Sequence, residues 1–100
     1  MTDEQINAAI AKELGWTQVE AIHRSGRAPG ATYVGREFIP NYCADLNAMH
    51  EAEKTLDEDQ MWRMARNIEL NPDRWYFHAS ARDRAEAFLR TLGKWEEVQG

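Results

Sequence analysis

Ile39-Pro40-Asn41-Tyr42-Cys43-Ala44-Asp45-Leu46-Asn47-Ala48-Met49-His50-Glu51-Ala52-Glu53 is the stretch on which the reading of this chain turns. Pro40-Asn41 reads as a helix opening, because proline fits a first turn where its missing N–H is not needed. At 100° per residue, Leu46, Met49 and Leu56 lie within about 40° of Tyr42, so the spacing predicts an amphipathic helix starting near Asn41. On its N-terminal side the chain is strand-like after an opening helix. On its C-terminal side it is mostly helical.

Upstream, Thr2-Asp3-Glu4-Gln5 has capping-box spacing and leads into Ile6, Ala9, Ile10 and Leu14 at helical spacing. Thr17 to His23 and Ala31 to Ile39 carry strand signals, with Ser25-Gly26-Arg27-Ala28-Pro29-Gly30 expected as the turn of a hairpin. Downstream, Leu56-Asp57-Glu58-Asp59-Gln60-Met61 reads as a restart: Asp57 as N-cap, Gln60 as its box partner, and Leu56 with Met61 as a hydrophobic staple. That helix is expected to end before Asn71-Pro72. Trp75-Tyr76-Phe77-His78 reads as a short strand. Ser80 caps a final helix with an apolar stripe of Ala81, Ala85, Phe88, Leu89 and Leu92. The expected order is α-β-β-α-α-β-α in one α+β domain over residues 1–100, with a small sheet from 17–23, 31–39 and 74–78 and helices on both sides. Leu14-Gly15-Trp16 and Leu92-Gly93-Lys94-Trp95 end the first and last helices alike, with glycine suited to the left-handed C′ position.

Composition bounds the function. The net charge of −5 argues against duplex nucleic acid as a partner, since duplex binding needs many Lys and Arg to displace phosphate counterions. The charge is nevertheless polarised: 23–36 carries Arg24, Arg27 and Arg36 without an acid, whereas 51–60 carries five acids against Lys54, a pattern suited to a small anionic ligand. A single cysteine excludes an intramolecular disulfide and any multi-thiolate zinc site. No apolar run approaches the roughly 18 residues of a membrane span, and the polar N-terminus is unlike a signal peptide, so an intracellular protein is expected. The core is limited and four Trp must carry part of the packing, which predicts a homo-oligomer.

The candidate chemistry is sparse. His50 and Glu53 flank the apolar stripe one turn apart, and either satisfy each other and nearby backbone or line a ligand pocket. They give two ligands at most, so no metal and no cofactor are expected. Cys43 and His50 are two turns apart, about 10.5 Å, too far for a nucleophile and its base, and no catalytic residue is assigned. Arg24 and Arg27, beside flexible glycines, could present guanidinium forks to a phosphate, and Arg82 and Arg84 could add charge at the last helix's N-terminus. Trp62 lies about 100° from Met61, off the Met61, Met64, Ala65 and Ile68 stripe of its helix, and is the candidate interface residue. Trp75 and Tyr76 point to opposite faces of their strand, and one could stack on a base.

The stretch from Ile39 to Glu53, together with Phe77-His78-Ala79-Ser80-Ala81-Arg82-Asp83-Arg84-Ala85-Glu86-Ala87-Phe88-Leu89-Arg90-Thr91-Leu92-Gly93-Lys94-Trp95, resembles the small bacteriophage proteins grouped as the phage ABA (α/β/α) sandwich domain. With the opening helix and Leu14-Gly15-Trp16 the resemblance covers over half of the chain. It implies a three-layer α/β/α sandwich, a phage-genome origin and action in the cytoplasm of the infected bacterial host. It carries over no catalytic residue, although Asp45, Leu46, Asn47, Met49, His50 and Glu53 match the motif. The expected function is a non-enzymatic counter-defence binder that sequesters a small phosphorylated ligand such as a cyclic immune nucleotide, with Arg24, Arg27, Asn47, His50, Glu53, Trp75 and Tyr76 as its candidate contacts. A protein-binding module that inhibits a host protein is the alternative, and a nucleotide-processing enzyme the third reading.

Overall fold

The computed structural model describes residues 1–32, 35–69 and 79–96, with the Glu69 side chain left aside. The expected strand at 74–78, including Trp75 and Tyr76, lies outside the described residues. Within them the order is α1 (Asp3–Glu13), β1 (Thr17–Glu20), β2 (Ser25–Arg27), β3 (Glu37–Phe38), α2 (Leu46–Glu53), α3 (Glu58–Glu69) and α4 (Ala81–Thr91). The class is α+β, and the described residues form four helices and a three-stranded antiparallel sheet in the order β1-β2-β3.

Local chemistry sets the helix ends. Thr2, Asp57 and Ser80 each take part in a reciprocal box: Gln5 N donates to Thr2 Oγ1 at 3.2 Å, Gln60 N to Asp57 Oδ1 at 2.8 Å, and Asp83 N to Ser80 Oγ at 3.1 Å, while the N3 side chains accept from the cap backbone. Both glycine stops are complete Schellman motifs. Gly15 and Gly93 take φ 98° and 71°; Trp16 N donates to Ala11 O and Lys94 N to Leu89 O, and both tryptophans, Trp16 and Trp95, pack back on the core.

The start of α2 needs correction: it begins at Leu46, not near Asn41. Asp45 is its N-cap, accepting from Asn47 N at 2.9 Å and Ala48 N at 3.3 Å. The preceding residues instead form a turn pinned by buried Asn7 of α1, whose Nδ2 donates to Asn41 Oδ1 at 3.1 Å and whose Oδ1 accepts from Cys43 N at 3.1 Å. A long-range side chain thus satisfies backbone that a helix would otherwise have used. One consequence is that Leu46 leaves the expected stripe and is 45% exposed, while Tyr42, Met49 and Leu56 are buried. The expected staple is also loose at one end, since Met61 is 50% exposed.

The hairpin is shifted too. Ser25-Gly26-Arg27 is a strand instead of the turn, and the reversal lies at 21–24, where Arg24 takes φ 44°. Thr17 pairs with Arg27 and Glu20 with Ser25, so β1 carries one extra residue, a bulge at which Gln18 takes φ 50°. Gly26 is required by close packing: a Cβ there would meet Thr17 O at 3.1 Å and the Trp16 ring at 3.4 Å.

Packing runs in series. β1 lies on α1, α1 on α4, and α2 and α3 both on α4. The central position of α4 suits its sequence, because Ala81, Ala85 and Ala87 let neighbouring helices approach while Phe88 and Leu89 fill the core with Ile6, Ile10, Ile39 and Met49. Each large side chain so buried contributes about 1.5–3 kcal/mol relative to exposure.

Candidate functional site

Strand alternation sorts the sheet residues into two faces. Gly26 turns inward under Trp16, so Ser25 and Arg27 face out, joined by Phe38, which pairs with Ser25. Arg36 belongs to the same face: its Nε donates to Ser25 Oγ at 3.1 Å, and its Nη2 donates to the carbonyls of Ser25, at 3.1 Å, and of Gln18. Arg36 therefore braces the bulge. Arg27 Nη2 donates to Ala31 O at 3.2 Å, which fixes the guanidinium while leaving its other N–H groups. Arg24 sits at the adjoining turn, its carbonyl accepting from Ile39 N at 2.9 Å. Phe38 is 78% exposed in the middle of this group, and Ile22 on the turn is 79% exposed. No described carboxylate pairs with Arg24, Arg27 or Arg36.

The α2 candidates divide. Asn47 is exposed on the first turn of the helix and His50 in its last turn. Glu53 is buried and faces Arg84 of α4 in a two-pronged pair, Nε donating to Oε2 at 3.1 Å and Nη2 to Oε1. Glu53 is thus joined to α4 and not to His50. Arg84 cannot serve an anion at the α4 N-terminus, and Arg82 is occupied as well: it donates to Asp3 Oδ1 at 3.2 Å, approaches Glu86 at 3.6 Å and lies over the Trp95 ring at 5.3 Å. The N-terminal amides of α4 are taken up in part by the Ser80 box.

Cys43 is shut beneath α1, its Sγ 3.7 Å from Asp3 O. Burial first, and then the Asp3 carboxylate, push the thiol up to about 11 against an opposing effect of Arg82, and burial pushes Tyr42 up to about 12. At neutral pH both are protonated, and the thiol is neither accessible nor ionised. Among the described residues no three of His, Cys, Asp and Glu converge. The described residues line open clefts. One of about 380 Å³ lies between α1 and the segment after α4, lined by Met1, Ala9, Lys12 and Lys94; another, of about 420 Å³, lies along α3 beside Trp62, Arg63, Ala65 and Arg66.

Phe38 is the residue of this face that sequence reasoning misses. Its signal is the pair Phe38-Ile39: adjacent strand residues face opposite ways, Ile39 enters the core, and Phe38 must then face out. Comparison of the chain with family models, curated proteins and solved structures gives no match.

Proposed function

We propose that the protein is a non-enzymatic binder of a small phosphorylated ligand and that the outer face of the sheet receives it. The observation that carries this reading is three guanidinium groups without a described carboxylate partner around an exposed Phe38, in a chain whose net charge is −5. Arg24 and Arg27 suit phosphate because a guanidinium fork gives charge-assisted, paired hydrogen bonds, and Arg36, whose Nε and Nη2 already donate to Ser25 and Gln18, adds its charge and Nη1. Arg27 and Arg36, anchored to backbone carbonyls, lose less freedom on binding than free side chains would. Phe38 is the stacking ring that the described residues offer, and Asn47 and His50, exposed on α2, stay as further candidate contacts. The biological setting belongs to the same proposal: a phage-encoded protein in the cytoplasm of the infected host, sequestering an immune signalling nucleotide. The three-layer sandwich also stands as a proposal.

The test is incubation with a panel of cyclic and linear nucleotides, followed by heat denaturation and recovery of the ligand. A nucleotide that raises the Tm and returns unchanged is the expected outcome. Phe38→Ala should weaken its binding by about 1–3 kcal/mol, the usual contribution of one stacked base. A cleaved product would make the protein an enzyme. The protein-binding reading rests on the exposed Ile22 and Phe38; it becomes the better account if no nucleotide shifts the Tm and a host protein binds in a Phe38-dependent way.

A further inference from the structure

Helix α3 buries Met64 and Ile68 toward α4, so its opposite side is the outermost surface of the packing series. At 100° per residue, Asp59, Trp62 and Arg66 lie within about 40° of the direction opposite those two side chains. Trp62 is 72% exposed there. An acid precedes it and a base follows it, each about 5 Å along the axis from a point between Trp62 and Arg63. Arg66 has no ion-pair partner among the described residues, and Asp59, which accepts from Arg63 Nη2 through Oδ2 at 2.6 Å, keeps Oδ1 for another donor.

We propose that this face of α3 is a two-fold interface between two copies of the chain, with the helices antiparallel and the axis passing between Trp62 and Arg63. That pattern is self-complementary only in this orientation. An antiparallel pair sets Asp59 of each copy level with Arg66 of the other, twice, whereas a parallel pair sets acid against acid and base against base. The same axis finds a place for the tryptophan. Helical side chains lean toward their own N-terminus, which in an antiparallel partner is the direction of the first copy's Ala65 and Arg66. The ring of Trp62 then enters the hollow of about 420 Å³ lined by Trp62, Arg63, Ala65 and Arg66, where alanine leaves room and the guanidinium groups meet its π face. A pair of twelve-residue helices, about 18 Å long, covers less than the roughly 1,600 Å² of a standard interface, which puts it in the size class of weak, transient contacts. The sheet face lies at the other end of the packing series and stays open in the dimer.

Analytical ultracentrifugation of the full chain across the micromolar range tests this, with circular dichroism to verify folding of each variant. A monomer–dimer equilibrium is expected, and Trp62→Ala should raise the dimer Kd about 30-fold, as for a hot-spot aromatic. Asp59→Arg and Arg66→Asp should each be monomeric where the wild type is dimeric, because each creates two like-charge contacts. Mixed together they should form a heterodimer, since the arginine introduced in one chain then faces the aspartate introduced in the other, while the unaltered Arg66 and Asp59 meet at the second contact. The doubly swapped chain should dimerise with itself. A wild-type monomer throughout that range would overturn the proposal, as would an unchanged Kd in Trp62→Ala or a mixture that stays monomeric. Trp62-dependent capture of a different protein without self-association would overturn it equally.

Discussion

Arginine serves opposite purposes on the two sides of this molecule. In the helical part, Arg84 is buried against Glu53 and joins α4 to the end of α2, and Arg82 and Arg90 flank the Trp95 ring along one side of α4 with Glu86 near both. On the sheet, Arg24, Arg27 and Arg36 have no described acid: among the described residues Arg27 and Arg36 donate to carbonyls and a hydroxyl, and the Arg24 side chain has no partner. A buried guanidinium without its carboxylate is costly, whereas a solvated one loses little when its neighbours are neutral. The contrast separates charges that hold the fold together from charges that it does not need.

The sharpest way to break the contrast is to remove one partner of the buried pair. Glu53→Ala should lose about 3 kcal/mol in chemical denaturation, because the buried Arg84 guanidinium loses both charge-assisted hydrogen bonds that Glu53 accepts from it. The joint replacement Glu53→Leu with Arg84→Met should lose far less. If the single change costs under about 1 kcal/mol, the pair is not what joins α2 to α4.

Raising the pH probes the same helical side without mutation. The Cys43 thiol is raised in the folded protein from 9.0 to about 11, so the native state keeps its proton where the unfolded chain has released it. Stability is fully present below about pH 9 and falls by about 2–3 kcal/mol as pH rises to about 11. Cys43→Ala should flatten that decline in urea titrations at stepped pH. An unchanged slope would mean that other groups cause it.

On the sheet the sensitive position is a glycine instead of a charge. Gly26→Ala should cost about 1–3 kcal/mol, since the added methyl meets the Thr17 carbonyl, which is backbone and cannot turn aside. The smallest effect is expected at Arg24→Ala, within about 0.5 kcal/mol of wild type by thermal melting. A large loss there would show that the sheet arginines are structural after all, and would remove the main support for the proposed binding face.

Short-range features are the most legible in the sequence. Three capping boxes and two glycine stops depend on residues within about six positions of each other, and each is readable from Thr2, Asp57, Ser80, Gly15 and Gly93. The errors come from partners far away in the chain. Asn7 reaches 34 residues to Asn41 and turns an expected helix start into a tight loop. Gly26 reads locally as a turn residue, and only Trp16 above it explains why a strand needs no side chain there. The same holds for the candidate site: helical spacing puts Glu53 beside His50, while its partner Arg84 stands 31 residues on.

The lone thiol has one more use. Cys43 is held under α1 by Asn7 and by the Asp3 carbonyl, so an alkylating reagent can reach it only when the 41–45 loop lifts or the whole chain unfolds. In a protein with one cysteine, labelling at a single site then counts those openings, and its rate at increasing urea separates a local lift from global unfolding. The residue least suited to chemistry in the native state becomes a built-in clock for its own region of the fold.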